Sequence, residues 1–357
     1  MSASPTVGVV VVNFNGGDRV LNVLRALQTQ SHPLQEILVV DNASSDGTPA
    51  TIRAQFPAVR LIALPDNLGL SVARNVGLRE LRSTLALSLD HDIYVDTSCI
   101  ELLVRAHVTT SATVVCPRIR LLPERDVVHA DGADLHFLGA LVLRHGFEAV
   151  REVPAVPAYV GGAIGACMLM HRQQVLDAGG FEELLFFYQE DLEFSLRLRA
   201  YGHNYWCEPT AEVYHERAAG TPGLSFRGAG AYPHRRAYFT MRHRLFTLFV
   251  HYRLRTLLVL SPVLLLAELA ALGSAVVKGW PAQWFRSWFW VLGNLRLLLA
   301  RRRRSQQRRT VNDRELLVAG VPPLAQGFLT SDAERRIAGW YSAFANGYWR
   351  LVRNWIG

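Results

Sequence analysis

Four apolar runs in the first ninety residues constrain this chain most. They are "VGVVVVN" (7–13), "EILVVD" (36–41), "VRLIALP" (59–65) and "TLALSLD" (84–90), and the segments between them, Val20 to Gln28, Thr48 to Gln55 and Ser71 to Leu81, have helical spacing. Strands that are apolar on both faces must be covered on both faces, which alternating helices provide. The pattern predicts a doubly wound α/β domain with a mostly parallel central sheet. Ligands of such sheets lie beyond the carboxyl ends of the strands. There the chain places Asn13-Phe14-Asn15, Asp41-Asn42, Asp66-Asn67 and Asp90-His91-Asp92, a cleft rich in carboxylates and amides.

Several familiar cleft chemistries do not fit. No G-x-G-x-x-G follows the first strand and no G-x-x-x-x-G-K-[ST] occurs, which argues against a dinucleotide oxidoreductase and a P-loop ATPase. No G-x-S-x-G elbow is present, and the chain's one lysine, Lys278, lies outside the α/β region, so a lysine Schiff base there is excluded. The four cysteines stand far apart without a C-x-x-C pair or a secretory signal ahead of them, and read as buried, reduced thiols of a cytosolic setting.

Oxygen ligands in this number suit Mg²⁺ or Mn²⁺ holding a substrate's phosphates, because hard cations prefer carboxylates and take further ligands from water or substrate. Asp90 and Asp92 would point to opposite sides of a continuing strand, so sharing a metal requires the chain to turn there. The competing reading of Asp-His-Asp is a solvated turn. Asp41 offers an acceptor for ribose hydroxyls or a base N–H, or else caps the turn through Asn42-Ala43-Ser44. Arg74 lies in a helix whose Gly69-Leu70-Ser71 entrance faces the cleft. A guanidinium there braces a diphosphate, or pairs with Glu80 or another acid.

"FYQEDLEFSLRLRAYG" carries an apolar stripe of Leu192, Phe194, Leu196 and Leu198, which predicts an amphipathic helix from about Glu190 to Gly202. Glu190 and Asp191 occupy its first turn, where the helix amides favour ionised carboxylates. Being about 100° apart around the axis, they cannot both face one point. "CEPTAEVYHERAAG" reads as a strand ending at His215, and "YVGGAIGACMLMHR" holds Gly161, Gly162 and Gly165, which permit close approach of backbone to a ligand or tight internal packing.

Taken in order, "VVVVNFNGGDRVLNVLRALQTQSHPLQEILVVDNASSDGT", "DNLGLSVARNVGL", "LSLDHDIYVD" and "GGFEELLFFYQEDLEFSLRLRAYG" resemble a family 2 glycosyltransferase of the GT-A fold, in the branch that includes bacterial rhamnosyltransferases. The resemblance spans about residues 7–217. It implies transfer of a sugar from a nucleotide-diphosphate sugar to an acceptor hydroxyl with inversion at the anomeric carbon. It further implies Asp191 as the general base, Asp41 at the nucleoside, and Asp90 and Asp92 at a metal-bound diphosphate. Asp92 is the firmer of that pair, because many relatives carry Asn or Pro in the first positions of the motif. His215 falls where related enzymes hold metal or diphosphate, and Gly161 and Gly162, with Glu190, fall on the acceptor side. Asn13, Asn67, Arg74 and Asp90 complete the expected donor site.

Beyond about residue 235 the grammar changes. Residues 1–234 hold 18 Lys and Arg against 25 Asp and Glu, whereas residues 235–357 hold 20 against 5. Thr256 to Val277 is apolar enough to cross a bilayer, interrupted by Glu268; Trp280 to Ala300 follows with four tryptophans and two arginines, then "RRRRSQQRR". Arginines flank the first stretch on both sides, against the positive-inside tendency. Two arrangements stay open, a re-entering hairpin and a pair of segments in the interface, with a soluble helical bundle as the bland alternative.

The expectation is therefore a GT-A-type catalytic domain (1–234) with a basic, Trp-rich, helical membrane-associated region (235–357) at the cytoplasmic face of the cell membrane. It would be an inverting, Mg²⁺- or Mn²⁺-dependent glycosyltransferase of cell-surface polysaccharide synthesis. Its partners would be a nucleotide-diphosphate sugar donor, with rhamnose as the first candidate sugar, a lipid-linked glycan acceptor and an anionic membrane surface, but no nucleic acid. The rivals are a sugar-nucleotide nucleotidyltransferase, whose G-G-x-G-T-R-type loop is missing, and a membrane-bound nucleotide- or glycan-binding module without turnover.

Overall fold

A computed structural model describes residues 5–216, 231–325 and 327–357. The first half alternates as the apolar pattern requires: β1 (Val7–Asn13), α1 (Asp18–Gln28), β2 (Leu34–Asp41), α2 (Thr48–Gln55), β3 (Arg60–Ala63), α3 (Leu70–Glu80) and β4 (Leu85–Asp90). Then follow β5 (Ile93–Val95), α4 (Cys99–Thr110), β6 (Val114–Leu122), β7 (Val128–Ala130), β8 (Ala133–His136), β9 (Ala140–Leu143), β10 (Ala158–Val160), β11 (Cys167–His171), α5 (Arg172–Asp177), α6 (Glu190–Ala200) and β12 (Tyr205–Glu216). Among the described residues the remainder is helical apart from one short strand: α7 (His234–His251), α8 (Leu254–Val277), α9 (Pro281–Gly293), α10 (Leu295–Arg308), α11 (Asp313–Leu316), β13 (Leu317–Val318) and α12 (Asp332–Val352).

The main sheet runs β10-β12-β6-β11-β4-β1-β2-β3, with β5 on β12 and β7 on β6. It is mixed, which corrects the expected mostly parallel sheet. β4, β1, β2 and β3 are mutually parallel. β11, however, enters antiparallel between β4 and β6, and β5, β7 and β10 are antiparallel to their neighbours. The apolar run of β6 is interrupted by Pro117, Arg118 and Arg120, and β7 and β10 are three residues each, beside a bulge and the Gly161–Gly165 loop, so no long apolar run announces this second wing. The core packs Val9, Val11, Val39, Leu87 and Leu89 against Val20, Leu24, Leu103 and Ile100, all essentially buried. All four cysteines are buried and free.

The chain divides into two compact units. One comprises Met1–Ala133, Leu143–Phe194 and His203–Arg217 and holds the main sheet; the other comprises Asp134–Val142, Ser195–Gly202 and Ala218–Gly357. In the second, β13 and β9 flank β8, and α7 packs on α9 and α10, while α8 packs on α9 and α12. The Trp-rich stretch is two helices, not one, because the chain breaks at Gly293-Asn294, where the Asn294 side chain caps the Trp290 carbonyl at 2.8 Å.

Candidate active site

The site begins at the entrance to α3. Gly69 sits at φ +92°, and a Cβ there would lie 2.6 Å from the Phe186 carbonyl oxygen, so only glycine lets α3 start against that loop. The Leu70 N–H donates to Phe186 O at 2.8 Å and the Ser71 hydroxyl to Leu185 O at 2.7 Å. One turn further on, Asn75 clamps Phe181, donating to its carbonyl at 2.9 Å and accepting from its N–H at 2.7 Å. The residues leading into α6 are thereby fastened to α3.

Arg74 lies between them and is only 1% exposed. Its Nη2 donates to Asp90 at 2.8 Å and to the Gly165 carbonyl at 2.7 Å, its Nη1 donates to Glu190 at 3.1 Å, and its Cζ stands 5.2 Å from the centre of the Phe181 ring. A Cβ at Gly165 would come within 2.6 Å of Nη1. Arg74 thus braces the two acidic motifs against each other. Both terminal nitrogens meet protein acceptors, the pairing with another acid that the alternative reading of Arg74 allowed.

Tyr188 and Gln189, at φ +67° and +63°, are consecutive non-glycine residues in the left-handed region just before α6. Such conformations cost about 1–3 kcal/mol each and persist where the surroundings enforce them. They swing the first turn of α6 onto Arg74. The half-buried Asp191 carboxylate accepts from the Leu192 N–H at 2.8 Å and the Gly165 N–H at 3.4 Å. Burial, and next the charge of Asp191, push the buried Glu190 carboxyl up to about 7. Burial raises Asp191 too, against the opposing charge of Arg74. Asp90 is also raised by burial, against the same guanidinium. Three carboxylates surround one guanidinium, an excess of negative charge.

Beyond β4 the chain turns at His91-Asp92 and β5 pairs with β12, placing Ile93 opposite His215. Asp92 Oδ2 consequently lies 3.6 Å from His215 Nε2, and the Glu216 N–H donates to the Asp92 carbonyl at 3.0 Å. His215 Nδ1 lies 3.0 Å from His129 Nδ1. His129 is the extra residue where the β6–β7 register shifts, which re-aims its ring across β6. Among the described residues no group of three or more His, Cys, Asp or Glu is arranged to hold a metal ion. Asp92 and His215 are two protein donors, a number that suits a hard cation taking its other ligands from diphosphate and water.

At the ends of β1 and β2, Asn13 and Asp41 are register partners. Asp41 is 2% exposed and accepts from Asn13 Nδ2 at 2.7 Å, the Ser44 N–H at 3.0 Å and the Ser44 hydroxyl at 2.6 Å. These are the turn contacts of the competing reading; a nucleoside would be met over them. Asn13 Oδ1 is buried without a partner, and a Cβ at Gly16 would sit 2.3 Å from it and 3.3 Å from the His91 ring. The Asn13 cluster and the Asp90–Asp92 turn therefore adjoin. Asn67 accepts from Asn42 Nδ2 at 2.9 Å and from the Gly69 N–H at 3.1 Å, tying this cluster to the α3 entrance. Gly161 and Gly162 follow β10, where Gly162 exchanges two 2.8 Å backbone bonds with Ala133.

Sequence reasoning missed Phe181 and His129, whereas Gly165, named for close approach or tight packing, meets the Arg74 guanidinium, and Ser44 makes the turn contacts of the capping alternative. His129 carried no signal, because its place depends on a bulge.

The fold is a GT-A-like α/β fold with a mixed sheet. A crystal structure of GalNAc-T7 with UDP, GalNAc and Mn²⁺ shares it at a TM-score of 0.59 and 16% identity, over 76% of this chain and 52% of that one, so the chain spans about half the length of that solved protein. Residues 8–129 match the family model for glycosyl transferase family 2, and the relatives the chain resembles support that family and its rhamnosyltransferase-like branch. It is 27% identical over 241 residues to the N-acetylglucosaminyl-diphospho-decaprenol L-rhamnosyltransferase of Mycobacterium tuberculosis, covering 60% of this chain and 76% of that one. It is 32% identical over 132 residues to the succinoglycan biosynthesis protein ExoO of Rhizobium meliloti, covering 37% and 36%.

Proposed function

We propose that this chain is an inverting glycosyltransferase of cell-surface glycan synthesis, moving a sugar from a nucleotide-diphosphate donor to a hydroxyl of a lipid-linked glycan. The observation that carries the reading is the joining of Asp90 and Glu190 on one buried guanidinium, which sets Asp191 beside the acidic turn after β4. In an inverting transfer the acceptor oxygen attacks the anomeric carbon opposite the departing diphosphate, so one carboxylate must take the hydroxyl proton. Asp191 meets that need: the start of α6 favours its ionised form, and burial makes it a stronger base than a free carboxylate. Glu190, held by Arg74, keeps α6 in register on the acceptor side, with Gly161 and Gly162 as the facing backbone.

Asp92 and His215 would hold Mg²⁺ or Mn²⁺, with Asp90 adding negative charge behind them. The cation would offset the charge developing on the leaving diphosphate. Asn13, Asp41 and Asn67, at the carboxyl ends of β1 to β3, form the nucleoside end. Rhamnose is the first candidate sugar and a polyprenyl-diphosphate-linked glycan the first candidate acceptor, both supported by the activity for which the mycobacterial relative is named. A lipid-linked acceptor calls for work at the cytoplasmic face of the cell membrane, with the basic second half of the chain at an anionic surface.

Transfer assays with a panel of nucleotide-sugars and a lipid-linked N-acetylglucosamine acceptor, with and without Mn²⁺, test the proposal. Cation-dependent transfer with inverted configuration supports it. Nucleotidyl transfer, or nucleotide binding without any turnover, overturns it.

A further inference from the structure

The helix α8 presents its polarity inside out. Among its 24 residues only Arg255 and Glu268 are charged, and Glu268 is turned inward, where the Arg244 guanidinium holds it and Trp288 Nε1 donates to it at 3.1 Å. Outward stand Leu254, Leu258, Leu265, Leu269 and Val276, all well exposed. Their spacing of four, seven, four and seven residues confines them to an arc of about 60°. Two neighbouring helices repeat the pattern at similar width: α9 exposes Phe285, Phe289 and Leu292, and α12 exposes Ile337, Trp340, Phe344 and Leu351. Water-soluble monomers rarely expose apolar surface on this scale.

A second detail points to what covers it. Pro262 interrupts α8 on its exposed side and cannot donate to the Leu258 carbonyl, four residues earlier. The Ser261 hydroxyl donates to that carbonyl instead, at 2.8 Å. Internal satisfaction of a backbone group amid exposed leucines is what hydrocarbon demands, where no water can complete the bond. The charges around the stripes agree: Arg255, Arg286, Arg335, Arg336 and Arg350 are exposed on the same helices, in a segment with 20 basic and 5 acidic residues. Apolar stripes rimmed by arginine are the pattern of helices lying in an anionic interface.

The inner side of α8 is taken up by protein, leaving one apolar arc for lipid. Tyr348 donates to the Val259 carbonyl at 2.6 Å, Tyr341 to the Val263 carbonyl at 3.2 Å, and Lys278, just beyond the helix, pairs with Glu334 at 3.0 Å. These contacts run the length of the helix. Its companion α12 has the composition of an interfacial helix, with five charged residues, Asp332, Glu334, Arg335, Arg336 and Arg350, among its 21 and an apolar stripe on one side only.

We propose that α8, α9 and α12 seat this unit in one leaflet of an anionic phospholipid bilayer, with α8 lying in the plane of the membrane. This deepens the lipid-linked-acceptor reading by fixing how the chain would meet the lipid. It is measured without donor or acceptor, so its failure leaves the transfer chemistry standing, and failure of transfer leaves it standing in turn.

The test uses the purified full chain with preformed vesicles of phosphatidylcholine, with and without phosphatidylglycerol. Single cysteines replace Leu254 and Val277 at the two ends of α8, and an impermeant thiol reagent is added outside; the four native thiols are buried and contribute little background. The expected result is flotation with anionic vesicles that survives a high-salt wash, quenching of tryptophan by bromine at shallow acyl positions, and labelling of both cysteines. Replacing Leu258 and Leu265 together with Glu should lower vesicle partitioning about tenfold or more with nucleotide binding unchanged. Protection of one cysteine would mean a spanning helix and overturn the proposal. Release by salt alone, or a chain that ignores vesicles and instead dimerises through this face in sedimentation, would overturn it equally.

Discussion

Arg74 Nη1 donates to Glu190 Oε1 across 116 positions of sequence, at 3.1 Å, with both side chains almost wholly buried. The same guanidinium holds Asp90, so one residue in α3 sets the spacing between the two acidic motifs.

Removing that guanidinium should therefore cost more than a surface ion pair would. Arg74→Met leaves Glu190 and Asp90 without their counter-charge, and breaking a buried pair from one side typically costs about 3–5 kcal/mol. Denaturant unfolding should place the variant near the lower end of that range, because Asp90 is a quarter exposed. Arg74→Lys cannot reach three acceptors in different directions; it should stay folded, bind nucleotide and lose most of its turnover.

The half of the fold that could be read from sequence was the half built from long, two-sided apolar strands. β1, β2 and β4 fall on their runs, and Thr48–Gln55 is helical as its spacing implies. The wing of β6, β7, β10 and β11 was illegible because β7 and β10 are three residues long, the apolar run of β6 is interrupted by Pro117, Arg118 and Arg120, and all are set by pairing, and with it went the mixed character of the sheet. In the site, the position of each acid at a strand or helix end was legible from local pattern. The contacts between them were not: Arg74 was recognised as a cleft residue, yet its bridging to Glu190 depends on Gly69, Gly165 and the two left-handed residues before α6. The inward turn of Glu268 was likewise hidden, since a carboxylate in an apolar run reads the same whether it faces protein or lipid.

Glu190 should leave a mark on the pH dependence of stability. Its carboxyl is raised from 4.5 to about 7 in the folded chain. Below about 4.5 it is protonated in both states and its contribution is fully present. As pH rises, the unfolded chain ionises first, so this contribution shrinks and is lost by the time pH passes about 7. Urea midpoints measured from pH 4.5 to 7.5 should fall less steeply in Glu190→Gln than in the unaltered chain, whereas equal slopes would show that Glu190 titrates normally.

The cation should depend on Asp92 and, at one remove, on His129. Asp92→Ala should abolish transfer and remove the Mn²⁺-dependent part of the thermal shift given by a nucleoside diphosphate. Ligation through His215 Nε2 requires the proton on Nδ1, and His129 Nδ1 is the acceptor facing it. His129→Ala should then raise the Mn²⁺ concentration needed for the half-maximal shift by about 10- to 100-fold, the usual cost of losing such an outer partner. His129→Asn, which keeps a polar atom near the same place, should recover much of it. Full activity in excess chelator would remove the cation from the account.

The central claim is that Asp191 takes the acceptor proton, and Asp191→Asn measures it most directly. The amide keeps the shape, and its one oxygen can still accept the 2.8 Å bond from the Leu192 N–H, giving up only the long 3.4 Å bond from the Gly165 N–H, so donor affinity should hold within a few-fold. Single-turnover transfer should fall by a factor on the order of 10² or more, because no base remains at that position. Normal turnover in Asp191→Asn together with loss in Glu190→Gln would contradict the assignment and move the base to the neighbouring carboxylate.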